Sequence, residues 1–180
     1  MPSVRSNAAA FADVALQMQV TTFLAHEAEL FDSRDFASWV DLVEPDFTYR
    51  VPVPLTPDNP VAPAYDEDAF LIEETRDTLI GHWFSRYEPE MWEIAWAENP
   101  PVRFRHFVTN VRVRDTDDAD VLDVRSNAIV SAVRQSSPTT TLHVERFDRV
   151  RLRDGELKLA SRFAVIDESL VEFAQLRVIL

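Results

Sequence analysis

The sequence contains no cysteine, which excludes a disulfide, a thiol nucleophile and any zinc or iron–sulfur site held by cysteine. It has two glycines, Gly81 and Gly155, so no glycine-rich loop cradles phosphate and nucleotide binding is not expected. Its four histidines, His26, His82, His106 and His143, show neither the i, i+4 spacing of a helical metal site nor an HxH pair. No apolar run approaches the roughly 18–20 residues that span a bilayer. The opening run MPSVRSNAAAFADVA lacks the basic-then-apolar order of a secretory signal. A cytoplasmic protein with no membrane partner is expected. Lysine is almost absent: of 18 basic residues only Lys158 is lysine, the rest being arginine. The net charge of −13 argues against nucleic acid, whose phosphates need clustered positive charge.

What is present suits a soluble α+β domain of 180 residues, with 46% hydrophobic and 27% charged residues. One domain over 1–180 is the simplest division. It comprises a tail at 1–10, a helical half with one strand at 11–96, antiparallel strands over 103–167, and a C-terminal tail at 168–180. The spacing predicts an amphipathic helix over 11–31, with Leu16, Val20, Phe23, Leu24, Leu30 and Phe31 on one stripe. Asp32 and Ser33 offer a turn before a second helix over 35–43, where Phe36, Trp39, Val40 and Val43 recur. Phe47, Tyr49, Val51 and Val53 alternate as a half-buried strand, and Pro52 suggests a sheet edge or a strand end. Residues 54–65 read as a long ordered loop, and 66–96 as mostly helical with an aromatic second half.

After Pro100-Pro101, where no helix can continue, four strands follow. In 103–114, Phe107, Thr109, Val111 and Val113 are expected on one face, opposite His106, Val108, Asn110 and Arg112. An acidic turn at 115–120 leads to 121–134, with Leu122, Val124, Ala128, Val130 and Ala132 inward. In 139–153 the inward set is Leu142, Val144, Val150 and Leu152. Asp154-Gly155 marks a hairpin, and Leu157, Leu159, Phe163 and Val165 are expected to share the last apolar face. Helices first and a meander afterwards give α+β. The expected fold is cone-shaped, a curved mixed or antiparallel sheet wrapped around the long N-terminal helix.

Two features carry possible chemistry. Glu27 lies on the apolar stripe of the first helix, where a lone carboxylate is costly. It should meet an arginine or backbone donors, or sit where the stripe reaches solvent. His106 and His143, with Asp32 or Glu27, would form a general-base pair for dehydration or isomerisation if the sheet brought them together. Packed or surface histidines are the plainer reading. The arginines of 103–114 and 146–153 are either anion sites or salt-bridge partners for the 31 acidic residues.

Three blocks carry a family resemblance. The first is Phe23-Leu24-Ala25-His26-Glu27-Ala28-Glu29-Leu30-Phe31-Asp32, followed by Phe36, Trp39 and Leu42. The second is WAENPPVRFRHFVTNV, beginning at Trp96. The third is Arg146-Phe147-Asp148-Arg149-Val150, with Arg162 and Asp167 beyond it. The sequence resembles the small (β) subunit of bacterial aromatic-ring-hydroxylating dioxygenases. The middle block is the most specific. It departs from the family pattern at Asn99, Val102, Phe104 and Thr109.

The resemblance implies a cone-shaped fold of the nuclear transport factor 2-like or cystatin-like kind. It implies a chain without catalytic residues, cofactor or metal of its own. The partner would be a catalytic α subunit, three α with three β, with the β subunits around a threefold axis. That α subunit would hold a Rieske iron–sulfur cluster and a mononuclear iron, fed by a ferredoxin and reductase. Trp96, Glu98, Arg103, Arg105 and His106 are then candidate assembly residues. The competing expectation is a free-standing cone-fold dehydratase or isomerase using His106 or His143 with Asp32. A non-enzymatic ligand or scaffold module is the third.

Overall fold

Asp13 starts the first helix by accepting the Leu16 amide on its carboxylate at 2.8 Å, the usual satisfaction of an orphan helix donor. This helix, α1 (Val14–Ser33), ends where Arg34 turns left-handed at φ 61° and the Asp35 amide reaches back to the Leu30 carbonyl at 2.9 Å. The structure, a computed structural model, describes residues 12–59, 61–92, 94–95, 100–135, 137–169 and 178–180. A short helix, α2 (Phe36–Val40), follows, and then β1 (Val43–Pro54) and β2 (Tyr65–Thr75). A chain of short turns comes next: α3 (Arg76–Thr78), a π-helical turn (Leu79–Trp83), a 3-10 turn (Phe84–Tyr87) and α4 (Pro89–Trp92). The last four strands are β3 (Arg103–Asp115), β4 (Val121–Val133), β5 (Thr140–Arg153) and β6 (Glu156–Ile166).

The six strands form one sheet in the order β2-β1-β6-β5-β4-β3. All neighbours are antiparallel except β1 and β6, which run parallel. Its concave face closes over α1 and α2. Trp39, Phe47, Tyr49, Leu24, Val130, Leu142 and Leu159 are fully or almost fully enclosed there. Each such apolar side chain is worth roughly 1.5–3 kcal/mol when buried, so this shell carries most of the stability. Asp154 and Gly155, both at positive φ, make the two-residue β5–β6 turn, as the dipeptide predicts.

Four expectations are corrected. The stretch 11–96 holds two strands, because 65–75 is an edge strand and not the start of a helix. Its carboxylates line a solvated margin, which hides the alternation that a half-buried strand would show. Of the two readings of Pro52 the sheet edge fails, because β1 is interior, while the strand end holds: the proline lies just before the end of β1 at Pro54, at an irregularity in the β1–β2 ladder where a missing donor does least harm. In β3, Asn110 adopts φ 53° and the register slips between Thr109 and Arg112. That bulge separates Phe107 and Thr109, which face out, from Val111 and Val113, which face in. In β6 a second slip skips Ala160, turning Arg162, Ala164 and Ile166 inward and Phe163 outward. A one-residue bulge exchanges the faces of everything beyond it.

Candidate functional site

Glu27 lies in the middle of the cone, 1% exposed, on the face of α1 turned toward the sheet. β5 and the bulged β6 bring it partners. β5 places Arg146 and Asp148 on its inner face, between Val144 and Val150. β6 places Arg162 opposite Asp148 in the ladder. Arg162 donates from Nη2 to Glu27 Oε2 at 2.7 Å, and from Nε and Nη2 to both Asp148 oxygens at 2.9 and 3.0 Å. Trp39 Nε1 donates to the second Glu27 oxygen at 3.2 Å. Arg146 Nη1 stands 3.8 Å from Glu27 Oε2, close enough for Coulomb attraction and too far for a hydrogen bond. The Arg146 Nε and Nη1 atoms have no acceptor among the described residues.

The electrostatics follow from this arrangement. Burial alone would raise the Glu27 carboxyl, but the Arg162 and Arg146 guanidiniums outweigh it and hold the group below the usual carboxylate range. Burial and the neighbouring Arg162 push Arg146 down to about 10. Arg162 is held above its ordinary value because Asp148 and Glu27 outweigh its own desolvation. Two positive and two negative groups make the cluster neutral. It joins α1, α2, β5 and β6 from inside.

The second cluster lies where α1 ends against β3. Asp32 accepts the Arg105 guanidinium at 3.1 Å, the His106 amide at 3.2 Å and the His106 Nδ1 at 2.7 Å. His106 Nε2 meets the Ile179 carbonyl at 2.9 Å. The Leu180 amide donates to the Tyr49 hydroxyl at 3.0 Å. Val178, Ile179 and Leu180 are buried. Beside them lies a cleft with a cavity volume of about 30 Å³. Phe31, Phe36, Phe84, Phe104, Val178 and Ile179 line it, with His106. That space suits a water or two, far below the ~300 Å³ of an organic ligand site. Both ring nitrogens of His106 are engaged by oxygens inside the protein, Nδ1 by Asp32 and Nε2 by the Ile179 carbonyl.

The sequence candidates therefore divide. Asp32 and His106 come together. His143 does not join them: it faces out from β5, half exposed, and pairs with Glu168 at 2.7 Å. Arg103 and Arg105 stand on the outward face of β3. Trp96 and Glu98 lie outside the described residues. Sequence reading missed Arg146, Asp148 and Arg162 as core groups. The signal was present in β5, where Arg146 and Asp148 fall on the same two-residue period as Leu142, Val144 and Val150. Among the described residues no group of three or more His, Cys, Asp or Glu side chains is placed to hold a metal ion. No described helix is long and apolar enough to cross a membrane.

Comparison with known proteins gives a consistent answer. A family model described as ring hydroxylating beta subunit matches residues 26–172. A chain of naphthalene 1,2-dioxygenase, solved with indole bound in its active site, superposes with a TM-score of 0.79 at 26% identity. The match covers 94% of this chain and 88% of that one. The β subunit of benzoate 1,2-dioxygenase from Burkholderia mallei superposes at 0.63 with 19% identity, over 91% of this chain and 97% of that one. ActVI-ORFA from Streptomyces coelicolor gives 0.59 at 19% identity, over 86% and 98% respectively. The last two likenesses speak to the fold alone, the α+β cone of the nuclear transport factor 2-like kind.

Proposed function

The chain belongs to the ring-hydroxylating dioxygenase β subunit family, and on that premise we propose that it is the structural small subunit of a multicomponent aromatic-ring-hydroxylating dioxygenase. It assembles with a catalytic α subunit, three of each, with the β subunits around a threefold axis, and stabilises that subunit during breakdown of an aromatic compound. The α subunit holds the Rieske cluster and the mononuclear iron, and a ferredoxin and reductase supply electrons to the complex in the cytoplasm. The observation that carries this reading is the family match over 26–172, which spans the cone from α1 to beyond β6.

The cone interior supports a non-catalytic role. Among the described residues, the His–carboxylate pair inside it is Asp32 with His106, and the Ile179 carbonyl occupies the nitrogen that a general base would use. The adjoining cleft is too small for an aromatic substrate. Arg103 and Arg105, outward on β3, serve assembly. Co-expression with a cognate Rieske α subunit should give a stable complex, and the chain alone should show no turnover. Failure to associate with that α subunit, or dehydratase or isomerase turnover by the chain alone that is lost in Asp32→Asn, would favour the free-standing enzyme.

A further inference from the structure

Three buried side chains near Glu27 carry more hydrogen-bond donors than the described residues accept. Arg146 Nε and Nη1, Arg162 Nη1 and Ser126 Oγ are enclosed without a partner among those residues. All three residues are 1% exposed or less. The ladders set them side by side. Ser126 lies directly opposite Arg146 between β4 and β5, and Ala164 lies opposite Arg146 on the β6 side. Cross-strand partners stand close enough for their side chains to touch. Both such neighbours of Arg146 are small, as a site for a compact ion requires. Arg162 and Arg146 approach the same Glu27 oxygen, at 2.7 and 3.8 Å, so the two guanidiniums are adjacent.

The carboxylates are shared unevenly between these arginines. Arg162 donates to Glu27 and to both oxygens of Asp148. Arg146 stands beyond hydrogen-bond range of Glu27. The cluster is neutral as a whole, yet its positive charge is least compensated at Arg146. Burial and the adjacent Arg162 outweigh the attraction of Glu27 and Asp148 there. A guanidinium has no lone pair, so its unpaired N–H groups call for an acceptor. A buried cation left without one is among the costliest groups in a core. Water accepts two bonds but brings two hydrogens that need acceptors of their own. A halide accepts from every side and brings none. We infer that the core of the cone binds a small monovalent anion of chloride size, held by the Arg146 guanidinium and the Ser126 hydroxyl, with Arg162 Nη1 beside it. The ion ties β4, through Ser126, to the cluster that joins α1, α2, β5 and β6. A larger or doubly charged oxyanion is disfavoured, because Glu27 and Asp148 stand close by.

The site lies inside one chain and stands whether or not an α subunit binds. An ion that binds the folded chain and not the unfolded one stabilises it in proportion to the logarithm of its concentration. Urea unfolding of the full chain in sodium chloride, with sodium gluconate holding the ionic strength constant, tests this. The wild-type midpoint should rise as chloride replaces gluconate. Arg146→Met removes the donors and should abolish that rise, while salt effects on the surface act equally on both proteins and cancel. Ser126→Ala removes one hydrogen bond to the ion and should raise the chloride concentration needed about tenfold. Crystals grown in sodium bromide should show anomalous scattering beside Arg146 Nε or Nη1. Circular dichroism identifies a variant that fails to fold; if Arg146→Met does, Ser126→Ala and the bromide crystals decide. A wild type indifferent to chloride, the same chloride response in wild type and a folded Arg146→Met, or water at the site with no bromide signal would each overturn the inference.

Discussion

Removing the Glu27 side chain should be the most damaging single truncation inside the cone. Glu27→Ala deletes the 2.7 Å charge-assisted bond from Arg162, a class worth about 1.5–3 kcal/mol. It leaves the Trp39 indole N–H, buried in the core, without its acceptor, at about 1–3 kcal/mol. Two buried guanidiniums then share Asp148 alone, so the core acquires net positive charge. Breaking a buried pair from one side costs about 3–5 kcal/mol, and the separate terms agree with that range. For a chain of this size each kcal/mol lowers Tm by about 2–4 °C, which predicts a fall of about 6–20 °C. Glu27→Gln retains the shape and an acceptor for Trp39, so it should cost less. Glu29→Ala, at an exposed position two residues on, should change stability by at most about 0.5 kcal/mol. Urea unfolding of the purified chain, followed by circular dichroism, measures all three. A Glu27→Ala protein as stable as Glu29→Ala would refute the claim that this carboxylate joins the helices to the sheet.

The same carboxylate predicts an acid limb. Glu27 is depressed in the folded state by Arg162 and Arg146, against the effect of burial. Its contribution is therefore complete above the ordinary carboxylate range and is lost as pH falls through the lower folded value; unfolding profiles should show a shallower acid limb in Glu27→Gln. Asp32→Ala removes the shared acceptor of Arg105 and His106 and should cost about 2–4 kcal/mol in the same unfolding assay, on the scale of buried partners left unsatisfied. Tyr49→Phe removes the hydroxyl that the Leu180 amide uses; it should cost about 1–2 kcal/mol and raise proteolytic susceptibility near the C-terminal end. Asn110 holds the β3 bulge at φ 53°, so Asn110→Val should destabilise by about 1–3 kcal/mol while Asn110→Gly is tolerated.

Much of this architecture was legible in the chain, for identifiable reasons. α1 shows its helical stripe because one face is wet and the other dry. β4 alternates cleanly over its whole length, and Asp154-Gly155 allows little but a tight hairpin. β2 was hidden because an acidic edge strand has little to bury. The faces of β3 and β6 were misassigned beyond Asn110 and Ala160, since nothing in a two-residue period announces an inserted residue. Glu27 stood out as a carboxylate on an apolar stripe, and the expectation of an arginine partner identified the right kind of group. Which arginine depended on the bulge that turns Arg162 inward. The pairing of Asp32 with His106 was conceivable from composition. The Ile179 carbonyl against the other ring nitrogen was not, because it joins residues 73 positions apart through backbone.

The central claim is that this chain supports an oxygenase without taking part in its chemistry. The direct measurement is ring hydroxylation by the complex rebuilt with Asp32→Asn in place of the wild-type chain, normalised to the amount of α subunit assembled. Asp32 is the carboxylate paired with the interior histidine among the described residues. The account predicts turnover per assembled α subunit equal to wild type, even if less complex forms. Normal assembly with turnover lost would contradict it and place Asp32 and His106 in the reaction.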